Sequence, residues 1–519
     1  MKAQRFPVGI ETFSDIIEGG YVYIDKTRFI HEMISGSKYY FLSRPRRFGK
    51  SLMISTIQAF FEGRRDLFNG LDISRHDYGW EPHPVFRLNL VNTSTSSTDG
   101  LKSILESHLS EWEEEYEITH NAFDYPQRFY RCIQKSVQKT GRKAVVLVDE
   151  YDKPIVSSLH NDSLNKQLRD ILKPLYGTLK AADEYIQFAF LTGVSRFSRL
   201  SIFSDLNNLT DISLSEKYAS ICGITEEEML LHCQGGINSI VESKGIKFEE
   251  VVALLKKQYD GYHFTPSCPD IYNPYSLFSA FELKEINSFW FATGTPTFLI
   301  KALRNGDFFL PDLNNEKTSA IDMAASESYM ANPIPMLFQT GYLTISDYNP
   351  RRRTYTLRIP NLEVEEGLFQ HLLPVYMNRQ GTSETKTIDK LLDEIEDGKP
   401  EEFLSRLKAF LSDIPYELSR CKPEIYFENN LYIIFKLLGF AVDAEYRTAS
   451  GRIDLLLRTD RFIYLMELKL NGTPEEEISQ IDSKDYLIPF SGDNRRLFKI
   501  GISFSSATRN IDRWLIEHK

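Results

Sequence analysis

The sequence predicts an α/β protein made of several domains, and three observations support this class. The chain has 519 residues, which is too long for a single hydrophobic core. Over roughly the first 215 residues, short apolar runs alternate with helical patterns, which is typical of a parallel α/β unit. Over about the last hundred residues, the pattern is helix, strand, hairpin, helix and strand, which predicts a second α/β unit.

Composition and charge are those of a globular protein. Hydrophobic residues make up 42% and charged residues 26% of the chain, which are ordinary values. The net charge of −11 argues against a coat of positive charge that wraps nucleic acid, but it allows a locally basic groove. The five cysteines are scattered without a CxxC pair, which favours reduced thiols over a disulfide framework or a zinc site. Neither a signal peptide nor an apolar run long enough to span a bilayer is evident, so we expect a cytoplasmic protein without membrane contact.

A phosphate-binding loop is predicted between the first apolar strand and the helix that follows it. Tyr39–Leu42 is the strand, and Ser43–Ser51 reads Ser-Arg-Pro-Arg-Arg-Phe-Gly-Lys-Ser. In such a loop the backbone N–H groups cradle phosphates, Lys50 reaches the β- and γ-phosphates and Ser51 coordinates Mg²⁺. Arg44 stands where the motif usually has its first glycine, so the pattern alone is only moderately specific.

Two further strands end in residues that suit a nucleotide site. Ala144–Val148 ends in Asp149 and Glu150, where one carboxylate would lie near Mg²⁺ and the next beside the attacking water. Ile186–Leu191 ends at Thr192, which is a sensor position. The predicted ATP-binding residues are therefore Arg47, Phe48, Gly49, Lys50, Ser51, Asp149 and Thr192.

The hairpin of the C-terminal unit is predicted to bring two carboxylates together. Its strands are Arg452–Arg458 and Phe462–Leu470, and a turn at positions 460 and 461 sets the register in which Asp454 faces Glu467. Lys469 follows two positions later on the same face. Opposed Cβ atoms lie about 4.5–5.5 Å apart, where like charges destabilise the pair. The opposite face of the hairpin is apolar and is expected to be core.

A divalent cation would relieve this repulsion and supply chemistry. Mg²⁺ favours oxygen ligands, and a bound metal activates water and neutralises a scissile phosphate. Lys469 is placed to orient the water or to stabilise the developing charge, and Glu428 on the preceding helix is a further ligand. The predicted catalytic residues are Asp454, Glu467, Lys469 and Glu150. The predicted metal ligands are Asp454, Glu467, Glu428, Ser51 and Asp149. The alternative is a lysine that neutralises two surface carboxylates on a solvated sheet face.

Other helices of the second half are predicted from periodicity and helix-start signals. Phe427–Leu438 is amphipathic and closes at Gly439. A second helix starts at Thr473, which is followed by Pro and two Glu, and runs to about Tyr486. Thr508–Glu517 is predicted as a last helix.

Arginines in the first two thirds of the chain admit two interpretations each. Arg351–Arg353 lies in a turn between two predicted strands that follow a helix, which is the order of a winged helix. Such a wing would contact phosphates or the minor groove, and the alternative is a solvated turn. Arg196 and Arg199 follow the sensor strand, and each is either a charge-stabilising finger or a salt-bridge partner.

Several motifs resemble the AAA-ATPase-like family of bacterial proteins. They are Phe6-Pro-Val-Gly9, Tyr23-Ile-Asp-Lys-Thr27, Arg44–Ser51, Val148-Asp-Glu-Tyr-Asp152, Tyr259-Asp-Gly-Tyr262, Tyr272-Asn-Pro-Tyr275 and Phe338-Gln-Thr-Gly341. In that family the loop with arginine at its first position is the usual form. The last unit is similar to the PD-(D/E)xK core of restriction endonucleases, in which Gln480 and Tyr486 match positions often filled that way. The resemblance covers essentially the whole chain and implies ATP binding.

The patterns along the chain, together with the resemblance, predict a fold class and a division of the chain. The fold class is α/β, with a P-loop NTPase (AAA/STAND-like) parallel-sheet domain, a helical lid, a winged-helix-like middle and a C-terminal restriction-endonuclease-like α/β domain. The expected parts are a P-loop domain (1–215), a lid that starts with a capping box at Thr225 and Glu228 (216–272), a winged-helix-like domain (273–377), a linker and helical connector (378–414) and a nuclease-like domain (415–519). The polar run 378–387 is the expected linker.

The leading interpretation is an ATP-binding protein and ATPase whose nucleotide state controls a nuclease. Its cofactors are ATP and Mg²⁺, with Mn²⁺ as an alternative, and its substrate is nucleic acid, with DNA favoured over RNA. A ring or dimer of identical chains is compatible with such a site. Two alternatives stay open: a non-cutting nucleotide-dependent switch whose C-terminal domain only binds nucleic acid or a protein partner, and a nuclease whose ATPase-like domain no longer hydrolyses ATP.

Overall fold

The computed structural model divides into two compact units. The first comprises 1–293, 317–329 and 334–364, and the second comprises 294–316, 330–333 and 365–519. The five-part division expected from the sequence stays a prediction. The residues that the structure describes are 4–91, 97–119, 124–159, 161–196, 208–293, 300, 302–303, 308–324, 332–377, 384–412, 423–437, 441–508 and 510–518.

A five-stranded parallel sheet is the centre of the first unit. Its order is β2-β3-β4-β1-β5, and every pair in it is parallel. The strands are β1 Tyr39–Ser43, β2 Val85–Asn89, β3 Ala144–Asp149, β4 Ile186–Gly193 and β5 Thr210–Asp211. Because β1 and β3 are buried at every position, they read as continuous apolar runs, which is how a parallel sheet covered on both faces appears in sequence. The predicted strands of this sheet are confirmed.

Helices accompany this sheet and form the lid that follows it. They are α1 Phe13–Glu18, α2 Thr27–Ile34, α3 Lys50–Phe61, α4 Thr98–Glu115, α5 Tyr125–Thr140, α6 Lys153–Ser157, α7 Asp162–Ala181, α8 Glu226–His232, α9 Gln234–Lys244, α10 Phe248–Tyr259 and α11 Pro274–Leu283. The predicted capping box is present, since the Thr225 side chain accepts from the Glu228 N–H and the Glu228 side chain accepts from the Thr225 N–H. A short ladder of β6 Ile224–Thr225 and β7 Ile271–Tyr272 ties the lid together.

The winged-helix-like part has the predicted helix, strand, turn and strand. The elements are β8 Glu316–Ser319, α12 Ala320–Ala324, α13 Ile334–Thr340, β9 Thr344–Asn349 and β10 Thr354–Arg358, and the sheet order is β8-β10-β9. The basic segment Arg351–Arg353 is the exposed turn between β9 and β10. Helix α14, Leu362–Met377, spans the boundary between the two units.

The second unit contains a five-stranded mixed sheet of order β11-β12-β13-β14-β15. The strands are β11 Ala441–Arg447, β12 Arg452–Arg458, β13 Phe462–Leu470, β14 Arg496–Ser505 and β15 Asn510–His518, and the helices are α15 Glu384–Glu396, α16 Pro400–Ser412, α17 Pro423–Leu437 and α18 Pro474–Ser483. The β12–β13 hairpin has the predicted register, because Leu455 pairs with Met466 and Leu456 with Leu465.

Both faces of this mixed sheet are covered. The α17 residue Phe427 stacks on Phe504 with ring centroids 4.2 Å apart. Helix α18 contributes Ile478 and Ile481 to a core with Leu456, Ile463 and Leu465. The face that carries Asp454 and Glu467 is therefore itself largely core, so the alternative of a solvated sheet face is wrong.

Three predictions about elements of this unit need correction. The predicted helix Thr508–Glu517 is wrong, because β15 pairs antiparallel with β14 over this segment. Ile511 and Leu515 have a spacing that suits a helix, but a strand here satisfies the backbone groups along the otherwise open edge of β14. The helix that starts at Thr473 ends at Ser483 rather than near Tyr486. Residues 384–387 of the predicted linker belong to α15, while 378–383 and Gly439 lie outside the described residues.

Among the described residues, no helix combines the length and the apolar character needed to cross a bilayer.

A buried carboxyl between the lid and the winged-helix-like part makes the stability of the first unit depend on pH. Asp260 is 1% exposed, and its burial, opposed by the Gly261 N–H and reinforced by the charge of Asp270, raises its pKa from 3.8 to about 7. The folded state thus binds this proton more tightly than the unfolded state. The associated stability is fully present below the unfolded pKa and is lost as the pH rises through 7.

Replacing Asp260 by Asn should remove this dependence. The free energy of unfolding of Asp260→Asn, relative to that of the wild type, is expected to increase by on the order of 2 kcal/mol between about pH 5 and about pH 8. The measurement is the shift of the first unit's unfolding transition. The exposed Asp347→Asn is the control. Parallel pH profiles for Asp260→Asn and wild type would contradict the assignment.

Candidate functional site

The phosphate-binding loop connects β1 to α3 with backbone geometry that a P-loop needs. Gly49 precedes the first helical residue with φ +90°, a left-handed conformation that glycine adopts without strain. Arg47 has φ +68°, so the chain turns sharply before the helix. The N-terminus of α3 is directed into the loop, where free N–H groups favour anions.

Arg44 is a structural anchor of the loop, which explains why a glycine is absent. Its guanidinium is 1% exposed and lies over the Phe264 ring, 4.0 Å from the centroid. It donates hydrogen bonds to four backbone carbonyls, those of Ser43, Ser213, Tyr218 and Ala219. A glycine here would leave these carbonyls without their donor.

Lys50 is buried within the loop. Its Nζ donates to the carbonyl oxygens of Arg44 at 3.0 Å and Pro45 at 2.9 Å, and the residue is 5% exposed. The ammonium is therefore held by the loop itself and is close to the phosphate position expected from the motif.

Asp149 presents one engaged and one unengaged oxygen at the end of β3. It is fully buried, and Thr192 Oγ1 donates to its Oδ1 at 2.9 Å. Its Oδ2 accepts no hydrogen bond from the described residues and lies 3.9 Å from the Arg87 guanidinium. A buried carboxylate oxygen without a donor fits a cation ligand. Thr192 thus orients Asp149.

A cleft of about 280 Å³ opens above the loop. The sequence-predicted residues that line it are Arg47, Gly49, Lys50, Ser51 and Glu150. Glu150 has φ +50°, which turns the chain immediately after Asp149. Phe48 is not among the described lining residues; it is 1% exposed and packs edge-on against Tyr262 and Phe264.

Glu11 and Tyr275 are among the residues of this cleft that sequence reasoning missed. Glu11 lines it, and burial together with the charge of Asp149 raises the pKa of Glu11. Tyr275 from α11 also lines it, with the Arg47 guanidinium 4.6 Å above its ring. Glu11 lies two positions after the Phe6–Gly9 motif, and Tyr275 is the last residue of the Tyr272–Tyr275 motif. No role was assigned to either motif from the sequence.

Arg196 is a salt-bridge partner in this chain. Its guanidinium bonds Asp211 at 2.7 Å and the residue is 9% exposed, which agrees with the salt-bridge alternative, and the finger interpretation stays a prediction. The backbone N–H of Arg196 donates to the side-chain oxygen of Gln339 in the winged-helix-like part. Arg199 lies outside the described residues.

In the second unit, the hairpin brings Asp454 and Glu467 together as predicted. Asp454 Oδ2 accepts from the Leu468 N–H at 2.8 Å. Glu467 is fully buried, and its Oε2 accepts from Gln480 Nε2 at 2.7 Å. Burial and the neighbouring carboxylates of Asp454 and Glu477 raise the pKa of Glu467 to about 9, and burial also raises the pKa of Asp454.

This carboxylate pair fits a divalent cation. Glu467 Oε1 is buried and accepts no hydrogen bond from the described residues, although a buried oxygen normally has a partner. A cation at this oxygen would give it one and would also relieve the repulsion by Asp454 that contributes to the raised pKa of Glu467. Among the described residues, no group of three or more His, Cys, Asp or Glu has metal-binding spacing, so the pair stands without a third acidic ligand.

The other predicted residues of this site have different surroundings. Lys469 is half exposed and lies 4.0 Å from Glu477. Glu428 lines a small cavity with Leu468, Lys469, Leu470 and Phe504, and its role as a ligand stays a prediction. The Tyr486 hydroxyl donates to the Arg452 carbonyl and accepts from the Arg452 N–H, so it fixes the start of β12.

Replacing Arg44 by the usual glycine of the motif should destabilise the protein. The loss of a guanidinium that serves four carbonyls is expected to cost about 3 kcal/mol or more, seen as a lower Tm of the first unit. Arg46→Gly is the control with the same backbone change. An Arg44→Gly protein as stable as Arg46→Gly would contradict the anchoring role.

Comparisons with known proteins agree with this arrangement. Residues 7–203 match the family model described as Predicted AAA-ATPase, and residues 422–514 match that of the PD-(D/E)XK nuclease superfamily. A relative from Azotobacter chroococcum mcd 1, described as an uncharacterized protein in the vnfD 5' region, is 34% identical over 533 residues, which cover 100% of this chain and 99% of the relative. Among solved structures, the Aeropyrum pernix ORC2 protein in its ADPNP–ADP complexes is 12% identical over 72% of this chain and 95% of that chain, with a TM-score of 0.23.

Proposed function

Because the chain belongs to the family of predicted AAA-ATPases with a C-terminal PD-(D/E)XK nuclease superfamily domain, we propose that it binds and hydrolyses ATP and cuts nucleic acid at a Mg²⁺-dependent site. The nucleotide state of the first unit would control cutting by the second. The observation that carries the nuclease is the buried Asp454–Glu467 pair with one unengaged oxygen. DNA is favoured over RNA as the substrate.

In the proposed nuclease site each residue has a separate role. Gln480 holds Glu467 by a hydrogen bond of 2.7 Å, and the Leu468 N–H holds Asp454. Asp454 and Glu467 are the ligands for Mg²⁺ or Mn²⁺, which when bound activates water and neutralises the scissile phosphate. The half-exposed Lys469 reaches solvent next to the pair, where its ammonium stabilises charge that develops on the phosphate.

In the ATP site Lys50 and Glu150 have the central roles. Lys50 would exchange its two carbonyl partners for phosphate oxygens, and Ser51 and Asp149 would hold Mg²⁺. Glu150, at the cleft wall, orients the attacking water. Because such sites are often completed by a neighbouring chain, a homo-oligomer is part of the proposal.

Paired variants separate the two activities. We expect Asp454→Ala to lower cleavage of DNA by at least about a hundredfold, because half of the metal site is removed, while phosphate release from ATP persists. Lys50→Ala should abolish phosphate release without destroying the nuclease centre. Cleavage and phosphate release are measured with Mg²⁺ and with Mn²⁺.

Asp460→Ala, in the exposed hairpin turn, is the control for Asp454→Ala. A wild-type protein that cuts neither DNA nor RNA with either metal would refute the nuclease and favour the non-cutting switch.

Metal binding can also be measured without catalysis. At about a hundredfold excess over Kd, Mn²⁺ should stabilise the wild-type second unit by about 2.7 kcal/mol, seen as a higher Tm in a thermal-shift titration. Glu467→Gln, which removes one ligand charge, should lose most of this shift. The exposed Asp460→Asn should keep it, and an equal shift in Glu467→Gln and wild type would argue against the assigned ligands.

The wing turn is proposed as a contact for the nucleic-acid backbone. Arg351, Arg352 and Arg353 are all exposed, and they supply a grip that is independent of sequence. Replacing all three by Ala should weaken DNA binding and reduce the slope of log K against log salt by up to about 2.7. Fluorescence anisotropy at several salt concentrations measures this. An unchanged slope would leave the turn as a merely solvated one.

A further inference from the structure

Glu477 is a buried acidic residue beside the carboxylate pair, and no sequence pattern distinguishes it from its acidic neighbours. It is 2% exposed and lies on α18, whereas its neighbours Glu475 and Glu476 are exposed. We propose that Glu477 is a positioning residue of the nuclease site, which holds the Lys469 ammonium beside Asp454 and Glu467. This inference rests on the proposed function of that site.

A glycine in the sheet lets α18 bring Glu477 close. Gly501 on β14 pairs with Glu467 on β13 in the parallel register. A Cβ at Gly501 would lie 2.3 Å from the Pro474 carbonyl oxygen and 3.1 Å from the Glu477 Cβ, contacts that are too close for any side chain. The first turn of α18 therefore rests on the sheet directly next to Glu467.

Two residues of α18 then face the site together. Glu477 and Gln480 are three positions apart, which puts them on the same side of a helix. Gln480 bonds Glu467 Oε2, so this side of α18 is the one that faces the carboxylate pair. The charge of Glu477 contributes to the raised pKa of Glu467, which agrees with this placement.

Lys469 is the cation that Glu477 engages. The Nζ of Lys469 lies 4.0 Å from Glu477 Oε1, and the lysine side chain is 50% exposed while that of Glu477 is 3% exposed. Gly472 makes room for the lysine, since a Cβ there would lie 2.4 Å from Lys469 Cγ. The ammonium of a half-exposed lysine thus lies within salt-bridge distance of a buried carboxylate.

An oxygen of Glu467 that has no hydrogen-bond donor in the described part of the chain fits a cation. Asp454, Glu467 and Glu477 are three acidic side chains on which the charges of Lys469, Arg452 and Lys484 act, and Glu467 Oε1 is buried without a hydrogen-bond donor among the described residues. A divalent cation supplies further positive charge at the pair. Glu477 keeps Lys469 next to the cation in spite of their mutual repulsion, which is where an ammonium assists phosphodiester cleavage.

The test compares Glu477→Gln with Glu475→Gln, a matched change at an exposed position of the same helix. The first readout is independent of cleavage: the rate at which an N-hydroxysuccinimide ester acylates Lys469 in the metal-free full-length protein, followed by mass spectrometry. Loss of the carboxylate should speed acylation by about threefold or more, because the salt bridge to Glu477 no longer restrains the side chain of Lys469. Glu475→Gln should leave the rate unchanged.

The second readout is DNA cleavage with Mg²⁺. Glu477→Gln should lower kcat by about tenfold while KM stays within about twofold, and Glu477→Asp, which keeps the charge one methylene farther away, should give intermediate values of both readouts. Equal acylation rates in wild type, Glu477→Gln and Glu477→Asp would overturn the inference. A wild type that never cleaves would defeat the proposed function alone, since acylation still reports on Glu477. The Glu477→Asp comparison decides the question if Glu477→Gln does not fold.

Discussion

The β12–β13 hairpin forces two like charges to face each other, and the second unit is organised around that contact. Side chains alternate along a strand, so a register with Leu455 opposite Met466 leaves Asp454 no position other than against Glu467. Helix α18 then covers the pair with Gln480 and with apolar residues. Burial of this kind makes the repulsion stronger, because the interior screens charge less than water does. The close approach of the two carboxyl groups is unfavourable by itself, and the same close approach favours the binding of a cation between them.

A buried positive charge has the corresponding role in the first unit. The Arg44 guanidinium satisfies four backbone carbonyls, which join the loop to the segment around residues 213–219. A sequence pattern that requires glycine at this position therefore does not match the loop, although the loop has the backbone conformation of a P-loop. The carbonyls that bind Arg44 come from segments far apart in sequence, so this one side chain helps to join the loop to the lid side of the domain.

Much of the fold and part of the site followed from local patterns. The parallel strands were recognisable because burial on both faces leaves a continuous apolar run, and the hairpin register followed from a two-residue turn. The C-terminal strand β15 was not recognisable, since Ile511 and Leu515 suit a helix as well as a strand and only the free edge of β14 decides between them. Glu477 was hidden for a similar reason: its burial depends on Gly501, which is 24 positions away in sequence and adjacent only in the folded sheet. Roles for Arg196 and Phe48 also depended on partners such as Asp211 and Tyr262 that no local pattern specifies.

The hydrogen bonds of Lys50 to the Arg44 and Pro45 carbonyls mean that the phosphate loop contains an internal competitor. An anion that binds must displace two intramolecular acceptors before it contacts the ammonium, which weakens its binding. The same two hydrogen bonds stabilise the conformation of the loop. Pro45 also packs where a Cβ on Gly341 would lie, 2.7 Å from the Pro45 Cβ. A residue whose carbonyl accepts from Lys50 is therefore also in contact with the winged-helix-like part.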